Sequence, residues 1–114
     1  MKIEKFEDII AWKKAGELSY TIYQNFKNCR DFSLRDQIQR AAVSIMNNVA
    51  EGFERRTNKD FKNFLFMAKG SCGEVRSILY LSFKLEYINS KQFKGSYDLS
   101  VEISKLLSGL IKTL

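Results

Sequence analysis

The 114-residue sequence contains no histidine, no proline and only two cysteines. Without histidine, the chain lacks the commonest general acid–base and the commonest metal ligand. The absence of proline is typical of a chain made almost entirely of long helices, because proline interrupts a helix. Cys29 and Cys72 lie far apart and form no CxxC or metal-binding spacing. Two reduced thiols in a reducing cytosol are therefore expected, with a disulfide as the alternative.

Sequence motifs of several enzyme classes are also missing. There is no P-loop, no GxGxxG and no nucleophile elbow, and the carboxylates do not follow the Glu…Glu-x-x-His pattern of di-iron bundles. We therefore predict a protein that is not an enzyme and that has no catalytic residue, no cofactor and no metal. The alternative is an enzyme in which Glu51 acts with a neighbouring basic group.

No segment has the pattern of a signal peptide or of a membrane span. The sequence from Met1 to Asp8 carries acidic residues and lacks an apolar core, and the longest uncharged runs are interrupted by Ser, Asn and Gly. We expect a cytoplasmic protein that does not contact a membrane.

The chain length limits the number of domains, and the net charge limits the kinds of partner. A chain of 114 residues with 45 % hydrophobic content fits one domain, residues 1–114, that buries its own core. The net charge of +6 favours polyanions such as RNA, DNA or acidic lipid surfaces, although lysine-rich helix exteriors also serve solubility.

Apolar residues recur every three or four positions in four segments, which is the period of an amphipathic helix. In the third segment one apolar stripe is formed by Phe61, Leu65, Ala68, Cys72, Val75 and Leu79. This stripe is widened by Phe64, Met67, Ile78 and Leu81, so the third helix is expected to bury more than one side. No segment shows the alternation of a half-buried strand. The short breaks between long helices favour antiparallel neighbours, so the predicted fold is all-α, an up-down-up-down four-helix bundle. The predicted helices run from about Asp8 to Phe26, from about Leu34 to Arg55, from Thr57 to about Glu86, and from Asn89 or Ser90 towards the C-terminus.

Residues with short polar side chains mark the predicted helix starts. Asp8 is the expected cap of the first helix, and Ser33, followed three residues later by Asp36, resembles a capping box for the second. The same pattern, Thr57 with Asp60, opens the third helix.

The second helix carries a line of polar residues opposite its apolar face when it is read at about 100° per residue. We call this line the polar seam: Arg40, Ser44, Asn48 and Glu51. Arg40 and Glu51 are about 16 Å apart along the axis, too far for a mutual ion pair, whereas Glu51 could pair with Arg55 at i, i+4. Three interpretations of the seam are open. It is a surface that faces solvent or the neighbouring helix, or it is a subunit contact held by charge-assisted hydrogen bonds. The third interpretation is a catalytic site.

Gly70 and Gly73 fall inside the third predicted helix, where each costs about 1 kcal/mol relative to alanine. The simplest compensation is the close approach of another helix, within the bundle or across a subunit interface. The alternative is a kink between two shorter helices.

Basic residues crowd the turn between the second and third helices. We call Arg55, Arg56, Lys59 and Lys62 the basic corner; it is the best candidate for a nucleic-acid phosphate site, because the start of a helix adds free N–H groups. A solvated helix junction explains this cluster about as well.

Three stretches of the chain together resemble the four helix bundle protein family, also called the 23S ribosomal RNA intervening-sequence protein family. The resemblance covers nearly the whole chain, and Arg40, Ser44, Asn48 and Glu51 match the family motif. The matching stretches are Phe6-x-Asp8-Ile9-x-x-Trp12-x-x-Ala15-x-x-Leu18, Leu34-x-x-Gln37-Ile38-x-Arg40-Ala41-Ala42-x-Ser44-Ile45-x-x-Asn48-Val49-Ala50-Glu51-Gly52 and Arg55-x-x-x-x-Asp60-Phe61-x-x-Phe64-Leu65-x-x-Ala68-x-Gly70-Ser71-x-x-Glu74.

The resemblance implies a bacterial antiparallel bundle that assembles into a homopentameric ring with a central opening. A distantly related branch of the family, in diversity-generating retroelements, forms a basic pentamer that binds nucleic acid and a reverse transcriptase. For this chain we therefore expect a non-enzymatic, self-assembling protein that binds RNA or DNA through basic surface. The alternative is a scaffold for another protein, without nucleic-acid binding.

Overall fold

Four helices account for most of the computed structural model, which describes residues 3–114. Met1 and Lys2 lie outside the described residues; they belong to the segment in which no signal peptide was predicted. A 3₁₀ turn at Phe6–Asp8 precedes α1 (Ile10–Phe26), α2 (Phe32–Phe53), α3 (Asn58–Lys84) and α4 (Ser90–Lys112). Residues 3–114 contain no strand. The predicted all-α, four-helix fold is confirmed.

Each helix contacts two neighbours, in the order α1–α2–α3–α4 with α4 returning to α1. No close backbone contact joins α1 to α3 or α2 to α4, so these pairs lie diagonally across the core. In two pairs of neighbours, side-chain contacts join the start of one helix to the end of the other, which is the pattern of antiparallel helices and is consistent with the predicted up-down-up-down order. For α2 and α3 this contact is Asp31–Tyr87, with Ser44–Ser71 midway along both helices. For α1 and α4 it is Asn25–Gln92, with Lys14–Glu102 further along.

The apolar stripes predicted from the sequence form the core. The whole predicted stripe of α3 is buried: Phe61, Leu65, Ala68, Cys72, Val75 and Leu79. Of the four residues expected to widen this stripe, Ile78 is buried and Phe64 is half-buried, whereas Met67 and Leu81 are 54 % and 49 % exposed, so the expected burial is wrong for these two in the single chain. The two residues extend an apolar surface outwards instead of widening the core.

Two of the predicted helix caps are corrected. Residue Ile9, not Asp8, is the N-cap of α1, because Asp8 belongs to the 3₁₀ turn and the side chain of Ile9 is buried. The N-cap of α2 is Asp31, not Ser33, and its Oδ1 accepts from the backbone N–H of Leu34 at 3.1 Å.

The caps of the last two helices follow the sequence closely. At the start of α3, the Thr57 hydroxyl accepts from the backbone N–H of Asp60 at 3.1 Å, as predicted. At the start of α4, Asn89 and Gln92 form a complete capping box, in which each side chain accepts from the other residue's backbone N–H.

None of the helices in residues 3–114 combines the length and the hydropathy that a membrane crossing requires.

Candidate functional site

The polar seam divides into two parts in the structure. Its inner part joins α2 to α3, because the Ser71 hydroxyl donates to Oγ of Ser44 at 3.0 Å. The Asn48 amide donates to the same Oγ at 3.0 Å and to the Ser44 carbonyl at 2.9 Å. Ser44 therefore makes a half-buried contact with the neighbouring helix, one of the alternatives that the sequence left open, and Asn48 supports Ser44 from the same helix.

The outer part of the seam is exposed. Glu51 pairs with Arg55 one turn along α2 at 3.2 Å, as the i, i+4 spacing predicts, whereas Arg40 forms no ion pair among residues 3–114. The structure thus does not bring Arg40 and Glu51 together with Ser44 and Asn48 in one enclosed site. All four seam residues, together with Tyr23 of α1, line a shallow, open depression of about 530 Å³.

The glycines of α3 face open space. A Cβ atom at Gly70 would meet no atom within 4 Å, and one at Gly73 would meet only Nη2 of Arg76 at 3.9 Å. Close approach of another helix within the bundle is therefore wrong for both, and α3 is continuous, so the kink is wrong as well. Close approach across a subunit interface stays a prediction.

The close approach within the bundle occurs at Gly52 instead. A Cβ atom there would lie 2.6 Å from Cβ of Phe64 and 3.0 Å from Cδ1 of Phe61. Gly52 lies inside α2 rather than after it, and it lets the start of α3 pack tightly against the end of α2. The sequence signal for this close approach was a glycine, Gly52, inside a predicted helix that continues through Phe53.

Large apolar side chains are exposed on the side of α3 that carries the open Gly70. Phe66, Met67 and Leu81 are each about half exposed, at 53 %, 54 % and 49 %. At 100° per residue, positions 66, 70, 77 and 81 fall on one side of the helix. We call Phe66, Met67, Gly70 and Leu81 the apolar face of α3; sequence reasoning assigned Met67 and Leu81 to the core and missed Phe66.

A second apolar surface lies on the side of the bundle where α1 meets α4. It is a groove of about 970 Å³ lined mainly by apolar side chains such as Ile10, Val101 and Leu106. Its charged lining residues are of both signs: Asp8, Asp98, Glu102 and Lys105. Two of these carboxylates already form ion pairs, Asp98 with Lys94 and Glu102 with Lys14. We call it the α1–α4 groove; periodicity could not predict it, because its lining residues come from both ends of the chain and meet only in the folded bundle.

The basic corner lies at one end of the bundle. Arg55 is held in place, since its guanidinium pairs with Glu51 and stacks over the ring of Phe64 at 4.7 Å. Arg56 and Lys59 are exposed, and neither forms an ion pair among residues 3–114. Lys62 is half-buried, one turn further along α3.

The corner also contains negative charge. Glu54 and Asp60 are exposed within the same stretch of chain, and Asp60 lies in the first turn of α3. The corner can therefore attract phosphate groups, but only through the small excess of cations over carboxylates.

Three side chains have a raised pKa, each for a local reason. Burial raises the pKa of the Cys72 thiol to about 11, and the nearby Arg76 and Lys69 oppose part of this shift. A hydrogen bond to Asp31 raises the pKa of the Tyr87 hydroxyl, which donates to Oδ2 of Asp31 at 3.1 Å. Hydrogen bonding to a neighbouring tyrosine of α4 raises the pKa of Tyr80.

The comparisons with known proteins agree with this architecture. The sequence profile of the 23S rRNA-intervening sequence protein family matches residues 7–109. A crystal structure from Bacteroides thetaiotaomicron, of a protein with unknown function from the S23 ribosomal protein family, is similar with a TM-score of 0.85 and 30 % sequence identity. The match covers 90 % of this chain and 99 % of that one. No curated relative matches the sequence. The chain is a member of the 23S rRNA-intervening sequence protein family.

Proposed function

We propose that this chain is a non-enzymatic protein that assembles into a homo-oligomeric ring and binds RNA or DNA through its basic surface. The observation that carries the proposal is the apolar face of α3, where half-exposed apolar side chains share one side of the helix with a glycine that no other helix approaches. A contiguous exposed apolar surface of this kind is typical of a protein interaction site. The family resemblance suggests five subunits.

The second copy has a surface that fits this face. The α1–α4 groove and the apolar face of α3 both expose apolar side chains to solvent in the single chain. The two surfaces are therefore complementary in hydropathy. Because they are different surfaces of one chain, their contact is heterologous, and a heterologous contact that closes on itself gives a ring rather than a two-fold dimer.

The basic surface supports the second half of the proposal. The net charge of +6 and the unpaired cations Arg56 and Lys59 favour a polyanion, and phosphate contacts of this kind are independent of sequence. Glu51 is exposed and paired with Arg55, which fits a surface residue better than a general acid–base. We therefore assign the chain no catalytic activity.

Assembly is tested by light scattering coupled to size exclusion. The wild type is expected to elute at several times the 13.3 kDa chain mass, and close to five times this mass if it is a pentamer. Gly70→Gln and Phe66→Ser, which fill or remove parts of the apolar face of α3, are expected to elute as smaller species. Gly95→Gln is the matched control, since Gly95 also faces open space but lies on α4. A monomeric wild type would contradict the proposal.

Nucleic-acid binding is tested with a labelled RNA over a series of salt concentrations. Binding to the wild type is expected to weaken steeply as salt rises, because released counterions drive the association. Arg56→Gln and Lys59→Gln should each weaken binding. Lys27→Gln is the control, because it removes a positive charge at the C-terminal end of α1, and it should leave binding unchanged. If RNA does not bind at low salt but nuclease-resistant protein partners are recovered, the protein scaffold is the correct reading.

A further inference from the structure

An aromatic cluster lies on the surface between α3 and α4, and its two exposed rings, Tyr80 and Phe83, belong neither to the apolar face of α3 nor to the lining of the α1–α4 groove. Tyr80 and Phe83 of α3 are 57 % and 43 % exposed. Half-buried rings from α4 support them: Phe93 lies 5.3 Å from Tyr80 and 5.2 Å from Phe83 between ring centroids. Tyr97 stacks on Phe93 at 5.5 Å and contacts Tyr80 edge-on at 5.5 Å. The two exposed rings are thus fixed in place with one side open to solvent.

A row of cations leads from the basic corner to this cluster. Lys62, Lys69, Arg76 and Phe83 recur every seven residues along α3, so they lie on one side of the helix about 10 Å apart. The three cations are half-buried, and none of them forms an ion pair among residues 3–114. The guanidinium of Arg76 lies 3.5 Å from the carbonyl and hydroxyl oxygens of Ser100, which holds it at the boundary with α4.

We propose that this row of cations and the Tyr80–Phe83 rings form a binding track for single-stranded nucleic acid. The cations follow the phosphate backbone, and unpaired bases stack on the two exposed rings. Proteins that bind single strands without sequence preference combine these two elements, a basic path and aromatic rings. The track spans about 30 Å from Lys62 to Phe83, a length that suits a strand of several nucleotides.

The chemistry of the cluster separates single strands from duplexes. In a duplex the base faces are stacked on one another, so exposed rings gain little from it, and only the cations interact with its phosphates. A flat surface of exposed rings without cations would fit a protein partner better. Here the nearest charged residues along the row are all positive, which favours a polyanion with exposed bases. The inference rests on the proposed nucleic-acid binding and specifies the strand form that is bound.

The test compares a single-stranded oligonucleotide of about 15 nucleotides with a duplex of the same length. Oligo(dT) and oligo(U) are both used, so that DNA and RNA are distinguished. Tyr80→Ala and Phe83→Ala are each expected to weaken single-strand binding about tenfold, while duplex binding stays within about twofold of the wild type. Tyr80→Phe keeps the ring and is expected to bind like the wild type. Tyr20→Ala removes a tyrosine that is 69 % exposed on α1 and serves as the matched control.

The outcomes distinguish the two proposals. If the wild type binds neither strand form, nucleic-acid binding itself is wrong. If the wild type binds but the Tyr80→Ala and Phe83→Ala variants bind single strands equally well, the stacking track is wrong and the basic corner alone can account for binding. If either alanine variant instead changes the number of subunits, the cluster is a protein contact and the track is also wrong. Circular dichroism checks that each variant remains helical.

Discussion

At the residue scale, Gly52 has a packing role that no other glycine of the chain shares. Its missing Cβ leaves the space into which Phe64 and Phe61 pack, and the nearest atom is the Cβ of Phe64, which cannot move without its backbone. Gly16 is the useful contrast, since a Cβ atom there would meet nothing within 4 Å. The same substitution at the two sites therefore has opposite expected effects.

Gly52→Ala is expected to lower the free energy of unfolding by about 2 kcal/mol, because α3 must shift away from α2 to admit the new methyl group. Gly16→Ala is expected to raise it by up to about 1 kcal/mol, because alanine favours the helix and the site is open. Urea unfolding followed by circular dichroism measures both. Equal effects of the two substitutions would show that the helices do not approach closely at Gly52.

Cys72 links stability to pH. Its thiol is fully buried and its pKa is raised from 9.0 to about 11 in the folded chain, so the folded state keeps the proton while the unfolded state loses it. The stabilisation is fully present below pH 9 and is lost as the pH rises towards 11. The wild type should therefore lose about 2 kcal/mol of stability over this interval relative to Cys72→Ala.

Denaturant titrations at several pH values, under reducing conditions, measure this difference. Cys29→Ala is the control, because Cys29 is only half-buried, and this variant should follow the pH dependence of the wild type. Parallel stability curves for the wild type and Cys72→Ala would contradict the assignment.

At the element scale, the loop after α3 ends the helix with an unfavourable residue. The backbone N–H of Tyr87 donates to the Ser82 carbonyl at 2.9 Å, and that of Glu86 donates to the Phe83 carbonyl at 3.0 Å. These two bonds form a Schellman motif, in which the residue after the C-cap adopts left-handed backbone angles. Glu86 occupies that position with φ of 63°, where glycine is the favoured residue.

Replacing Glu86 with glycine is expected to raise the free energy of unfolding by about 1 kcal/mol, because glycine adopts the left-handed conformation without a Cβ clash. Glu86→Ala removes the same charge without this relief and should have little effect. Thermal unfolding of both variants measures the difference. A larger gain for alanine than for glycine would point to the charge of Glu86 rather than its backbone.

The element scale also shows what periodicity can and cannot predict. The α3 stripe and the Thr57 cap follow from local rules, because each depends on residues within one or two turns. The starts of α1 and α2 do not follow from local rules. The cap residue of α1, Ile9, is buried in the core. The cap residue of α2, Asp31, also accepts a hydrogen bond from Tyr87 in the loop after α3. The seam divides for the same reason: only Ser71, on another helix, shows that Ser44 faces inwards.

At the scale of the whole molecule, helical periodicity cannot decide whether an apolar residue such as Leu81 lies in the core or in a contact with another chain. Its position on α3 shows only that it is apolar, whereas the packed structure leaves it about half exposed, on the same side of the helix as Gly70. The exposed face and the α1–α4 groove exist only once four helices have packed, so they had no single sequence signal. The proposed ring follows from having both surfaces on one chain.

The ring predicts a dependence of affinity on the length of the nucleic acid. A long RNA of about 60 nucleotides can reach several subunits at once, whereas an oligonucleotide of about 6 nucleotides can reach only one. Gly70→Gln leaves the charge unchanged but is expected to dissociate the ring. It should therefore weaken binding of the long RNA by about a hundredfold and leave that of the short one unchanged. The salt dependence for the long RNA should become shallower, because fewer phosphates are neutralised together. Fluorescence anisotropy with both RNAs, with Gly95→Gln as control, measures these effects. An equal loss for both lengths would place Gly70 in the nucleic-acid site rather than in the subunit contact, since a broken ring leaves each single site intact.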